Sequence, residues 1–191
     1  MVLIKKCLIV FRKLILVSLV FNLLVFTYTD QAKGASKAEL AIEIPATIQV
    51  FKREVRGGGR FLSRAAGYLV FPNVYKAGFW FGGEYGEGAL LVRGRIVDYY
   101  NTVGASFGLQ LGVQRKSIIV VFLTQRALRD FRRSDGWKVG VDGSVAIAKW
   151  GVGEDINNID FKDPVVGFVF SNQGLMFNIT LEGAKFTNIR K

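Results

Sequence analysis

Beyond residue 67 the chain is dominated by apolar and polar positions that alternate. In TVGASFGLQLGVQ (102–114), Val103, Ala105, Phe107, Leu109, Leu111 and Val113 share one parity. Gly104, Ser106, Gly108, Gln110, Gly112 and Gln114 share the other. A period of two is the strand signal. YLVF (68–71) predicts a short strand ahead of Pro72-Asn73. Residues 78–92 predict a glycine-bearing strand, Arg93-Gly94-Arg95 a turn, and 96–101 the returning arm of a hairpin. SIIVVFL (117–123) is apolar at both parities, so it predicts a strand buried on both faces. Val139, Val141, Val145 and Ile147 alternate again, and a polar loop covers 149–163. VVGFVFS (165–171) and GLMFNITLEG (174–183) flank Asn172-Gln173-Gly174, a hairpin turn.

Two segments break the β pattern. In SKAELAIEIPATIQVFKREVR (36–56), Leu40, Ile44, Ile48, Phe51 and Val55 recur at helical spacing, which outlasts a competing strand-like alternation. A helix is predicted, kinked or restarted at Pro45 and ended by Gly57-Gly58-Gly59, with a short helix following at 60–66. The second segment is QRALRDFRR, with Thr124 as its N-cap and Ala127, Leu128 and Phe131 as its apolar side. The expected fold class is α+β and predominantly antiparallel β. It is a bent sheet, sandwich- or barrel-like, with an N-terminal amphipathic helix and one inserted helix.

The first 34 residues follow a different rule. Lys5, Lys6, Arg12 and Lys13 precede the apolar run LILVSLVFNLLVF (14–26), and small residues follow in AKGA (32–35). That order is the pattern of a secretory signal peptide. The apolar run is short for a membrane span, which needs ~20 residues, so an uncleaved anchor is the weaker alternative. The expected organisation is a signal at 1–34 and one domain at 35–191, exported to the periplasm or secreted. With 50% hydrophobic residues, that length suffices for a real core.

Composition narrows the chemistry. The chain has no histidine, and its one cysteine, Cys7, lies in the leader. That removes histidine-based triads, histidine-ligated metals and thiolate chemistry from the mature chain. Glu84 and Glu87 have opposite strand parity and should face apart. Glu154, Asp155, Asn157, Asn158 and Asp160 form an oxygen-rich loop without the order of a calcium-binding hand. No catalytic residue, metal site or cofactor is therefore assigned, and a non-enzymatic role is expected. The formal net charge is +11. A basic exported protein points to an acidic partner surface, and export argues against nucleic acid.

The glycines of KAGFWFGGEYGEGALLVRG (76–94) raise the question of phosphate binding. Gly83 and Gly88 have the outer spacing of a phosphate loop, but Ala89-Leu90 stand where lysine and a hydroxyl are required. A dinucleotide fingerprint needs a helix after the glycines, and here a strand follows. Gly82, Gly86 and Gly88 share one parity, which suits close backbone approach instead.

VFPNVYKAGFWFGGEYGEGALLVRG (70–94) resembles the signature of the SYLF-domain family, in its bacterial exported branch. The resemblance continues through YYNTVGASFGLQLGVQ (99–114), DGWKVGVDGSVA (135–146) and VVGFVFSNQGLMFNITLEGAKFTNI (165–189). It implies a lipid-binding module. Eukaryotic relatives, attached to Src-homology or FYVE domains, bind phosphoinositide membranes through an N-terminal amphipathic helix, and some bind actin. An actin role does not fit an exported chain. The lipid role carries over in outline to the basic, amphipathic N-terminal segment.

Two basic clusters are the candidate contacts. Lys37, Lys52, Arg53, Arg56, Arg60 and Arg64 accompany the first helices, and Arg126, Arg129, Arg132 and Arg133 lie on the inserted helix. Each Lys/Arg near an anionic bilayer contributes ~1 kcal/mol. The apolar stripe beside the first cluster either enters the bilayer or covers the sheet, and the sequence leaves both open. The alternative to a peripheral lipid-binding module is an envelope scaffold that binds a protein or polymer through the β domain.

Overall fold

A computed structural model describes residues 34–78, 81–107, 112–147, 155–158, 161–171, 174–176, 181 and 183–191. The leader, most of the acidic loop, the turn at 172–173 and residues 177–180 lie outside the described residues, and so do the expectations that fall on them. Residues Ala35–Lys191 form one compact unit. No helix among the described residues is long and apolar enough to cross a membrane.

The elements run α1 (Lys37–Glu54), α2 (Gly58–Arg64), β1 (Gly67–Gly78), β2 (Phe81–Val92), β3 (Arg95–Phe107), β4 (Gly112–Phe122) and α3 (Gln125–Arg133). They continue as β5 (Trp137–Lys138), β6 (Ala146–Ile147), a 3-10 turn (Ile156–Asn158), β7 (Val165–Ser171), β8 (Gly174–Met176) and β9 (Lys185–Ile189). The nine strands make one sheet in the order β5-β9-β3-β2-β1-β4-β7-β6, with β8 added to β7. The sheet curls into a half-barrel, and the expected α+β class holds. Only the β6–β7 pair is parallel among the named strands.

Two cores lie on the two faces of this sheet. On one, Leu69, Phe71, Leu90, Ile118, Val120 and Phe122 pack with Leu128 and Phe131 of α3 and with Trp137 and Phe186. On the other, Tyr68, Val70, Leu91, Ile119, Val121, Phe168 and Phe170 pack under Leu40, Ile44 and Phe51 of α1 and Phe61 and Leu62 of α2. The central strands are therefore buried at both parities, as the run 117–123 predicts.

Several expectations are corrected. α1 continues through Pro45 without restarting. It ends at Glu54, and Gly57, in the left-handed region at φ 79°, starts α2 instead. β1 does not stop before Pro72 but runs to Gly78, because Phe71 and Pro72 together oppose the single residue Gly88 of β2. Such a bulge accommodates a proline that a regular ladder would reject. The Ser117 hydroxyl donates to the freed Pro72 carbonyl at 2.5 Å. The alternation at 102–114 is split between β3 and β4. Val103 is 47% exposed while Thr102 is 3% exposed, so its apolar parity faces outward there. Val141, expected to alternate inward, is exposed in a turn between β5 and β6.

Candidate functional site

α1 has a complete capping box. The Ser36 hydroxyl accepts from the Glu39 amide at 3.1 Å, and the Glu39 carboxylate accepts from the Ser36 amide at 3.3 Å. From this start Leu40, Ile44, Thr47 and Phe51 fall on one buried face. Phe51 sits edge-on to Phe168 with centroids 4.8 Å apart and to Phe170 at 6.0 Å. The open choice left by the sequence is thus resolved: the stripe covers the sheet. The opposite, largely polar side of α1 and α2 meets solvent, together with Ile42 at 75% exposure.

That side carries the first basic cluster. Lys37, Lys52, Arg53, Arg56, Arg60 and Arg64 are all exposed. Lys37 lies over the Tyr99 ring at 5.8 Å, and Arg53 pairs with Glu54 at 3.0 Å. Arg56 and Arg60 lie near Asp155. The Asp155 carboxyl is held below its usual range by the Asn157 amide and side chain, helped by those two arginines. Asn157 Nδ2 donates both to Asp155, at 2.6 Å, and to the Gly57 carbonyl, at 3.1 Å. Asp155 therefore helps to clasp the turn between α1 and α2; Glu154 and Asp160 lie outside the described residues.

The second cluster is built in the same way. Thr124 accepts from the Ala127 amide at 3.1 Å and starts α3, and Leu128 and Phe131 anchor it. Arg126, Arg129, Arg132 and Arg133 remain on its exposed surface. Arg132 reaches Asp98 of β3 at 3.0 Å, and Arg126 lies 3.7 Å from Asp130.

Topology brings Arg64 of the first cluster and the second cluster to one end of the sheet. Gly67 pairs with Phe122, Phe122 with Val165, and Val92 with Arg95. The start of β1, the end of β2, the start of β3 and the end of β4 therefore share an edge. α2 delivers Arg64 to that end from one face, where the Ala66 amide donates to the Phe122 carbonyl. α3 crosses it on the other face, with Leu128 packed at Gly67. The β2–β3 turn adds Arg93 and Arg95 between them, both exposed. In sequence, Arg93 and Arg95 carry only a turn signal. Their place beside α2 and α3 depends on pairings that no local pattern announces.

At the other limit of α1 the C-terminal residue is tied to the start of the domain. Lys191 Nζ donates to the Glu87 carboxylate and to the Ala35 carbonyl. Tyr85 donates to Glu87 at 2.6 Å. Glu84, across the sheet, pairs with Lys116 at 2.7 Å. The two carboxylates have separate partners, as their opposite parity predicts. Burial by itself raises the Glu87 carboxyl, but the hydrogen bonds from Lys191 and Tyr85 and the Lys191 charge outweigh it, and the group sits below its usual range. A depressed carboxyl contributes stability that is present above its unfolded pKa and is lost as pH falls through the folded one. The native protein should therefore lose this contribution on acidification below about pH 4.3. Glu87→Gln should cost about 1–2 kcal/mol at neutral pH, with a flatter acid limb in urea unfolding series.

Residues 103–191 match the family model described as Ysc84: Las17-binding protein actin regulator. No curated protein matches the chain. The matched residues run from within β3 to the C-terminus and include α3. The C-terminal part of the chain is therefore similar to the SYLF, or Ysc84, family, consistent with the resemblance that its motifs carry.

Proposed function

We propose that this protein is an exported, non-enzymatic module that docks peripherally on anionic phospholipid surfaces. The observation that carries the reading is the division of labour on α1 and α2. Their apolar stripe is used by the sheet, with Ile42 left exposed on α1, while the whole basic cluster is exposed. Such a surface binds by charge, reversibly and with strong salt dependence. The β domain is the scaffold that holds the cations in place. Lys52→Gln combined with Arg64→Gln should weaken partition onto phosphatidylglycerol-containing vesicles by about 30-fold, at ~1 kcal/mol for each charge. The melting midpoint should not move, since both side chains are exposed and away from the cores. Unchanged partition of that variant counts against the reading.

A second reading, an envelope scaffold with a protein or polymer partner, has its own observation. Tyr75 pairs with Tyr85 and Tyr85 with Val103 across three strands, and all three are about half exposed. The family description, with its protein ligand, is compatible with such a surface. If Tyr75→Ser with Tyr85→Ser leaves vesicle binding intact but abolishes capture of a defined envelope partner, the scaffold reading gains the β face.

A further inference from the structure

If the α1 stripe is buried, an apolar anchor for docking must come from elsewhere. Among the described residues Ile42 and Val141 are exposed singly, Tyr75, Tyr85 and Val103 lie on separate strands, and two exposed aliphatic side chains are consecutive: Ile96 at 36% and Val97 at 43% exposure. They follow the β2–β3 turn directly. Leu90 pairs with Asp98 and Leu91 with Ile96, so Val97 is the extra residue of a bulge, left without a ladder partner. Arg93 lies in the turn and Arg95 directly before Ile96, and both are exposed. Arg64 of α2 and Arg126 and Arg129 of α3 lie at the same end of the sheet.

The turn itself carries a further sign. Arg93 has φ 52° and Gly94 has φ 73°. A two-residue hairpin loop with both central residues left-handed favours Asn-Gly, and an arginine there is strained. The chain keeps a cation at a position where backbone preference asks for asparagine. Cations that are all arginine suit phosphate oxygens, because the guanidinium donates in a two-pronged fork.

We infer that the β2–β3 hairpin tip is the membrane anchor of this protein, with Ile96 and Val97 entering the interfacial region of an anionic bilayer and Arg93 and Arg95 gripping lipid phosphates. The occupant is a phospholipid surface, because exposed arginines of the turn stand directly beside two consecutive exposed aliphatic side chains, Ile96 and Val97. The inference rests on the docking reading above and names its point of contact. It also gives α2 and α3 a shared task, since both present arginines around the tip.

The test uses the full chain with vesicles of phosphatidylcholine containing phosphatidylglycerol. Ile96→Ser with Val97→Ser should reduce partition about tenfold while leaving its salt dependence intact. Arg93→Asn should raise the melting midpoint by about 2 °C and yet weaken binding. A purely structural arginine would not separate those two readouts. An environment-sensitive fluorophore at Val97→Cys, in a Cys7→Ser background, should shift to the blue on anionic vesicles. It guards against a serine variant that fails to fold. Hairpin variants that bind like the parent, with an unshifted fluorophore, overturn the anchor while Lys52 and Arg64 variants still report on docking. If the parent binds no vesicles, the docking reading falls first and takes the anchor with it.

Discussion

Phe51→Ala should lower the free energy of unfolding by about 3–5 kcal/mol, the usual range for deleting a buried phenylalanine. The ring is fully buried and joins α1 to β7 through Phe168 and Phe170. Gly58 of α2 lies so close that a Cβ there would stand 2.7 Å from the ring. One side chain thus fixes both helices to the sheet. A typical domain is stable by 5–15 kcal/mol, so the loss is a large share. Most helical stability in a protein comes from tertiary packing of the apolar face, so α1 depends on this contact to stay formed. Urea unfolding measures the effect. A loss below about 1 kcal/mol means that α1 is not seated as described.

Gly88→Ala should be at least as damaging, at about 3 kcal/mol or more. A Cβ at Gly88 would stand 2.0 Å from the Val70 carbonyl oxygen and 2.8 Å from the Phe71 ring. The first of these is backbone, held on both sides by ladder pairs, and it cannot swing away. The close approach has a cause: the bulge at Phe71-Pro72 crowds the one residue opposite it. Gly83 supplies the control within the same motif. Nothing lies within 4 Å of its Cβ position, so Gly83→Ala should be neutral or stabilising by up to about 1 kcal/mol. Thermal unfolding of the pair checks this directly. Equal behaviour of the two variants contradicts the bulge account.

The glycines of 76–94 therefore do not act as a group. Gly86 and Gly88 are packing glycines, with a Gly86 Cβ falling 2.7 Å from the Asn73 carbonyl, whereas Gly83 is open. Parity separated these roles in advance, because a strand sends alternate positions to opposite faces. The bulge that makes two of them necessary was not legible, since Pro72 reads locally as a strand end.

The rest of the fold divides along the same line between local and distant causes. Ile118–Phe122 announced a doubly buried strand because both parities are apolar. Thr124 and the residues after it announced α3 by capping chemistry. β9 had no comparable signal: KFTNI is half polar, and its place is set by pairing of Phe186 with Thr102, far away in sequence. The outward turn of Val103 follows from the same topology, since α1 covers the sheet only nearer Tyr99. In the candidate site, Arg64, Arg126 and Arg129 are visible as parts of clusters of charge. Their meeting around the β2–β3 turn was hidden, because it requires β1 to pair with both β2 and β4. The buried stripe of α1 illustrates the limit of periodicity. A moment shows that a helix has an apolar side, and only tertiary structure decides what covers it.

Co-sedimentation of the protein with vesicles tests the central claim most directly. Two lipid compositions suffice, phosphatidylcholine alone and phosphatidylcholine with phosphatidylglycerol, each across a series of salt concentrations. The account predicts pelleting with the anionic vesicles alone, falling steadily as salt rises. No pelleting with either composition, or equal pelleting with both at every salt concentration, contradicts docking by charge on an anionic lipid surface.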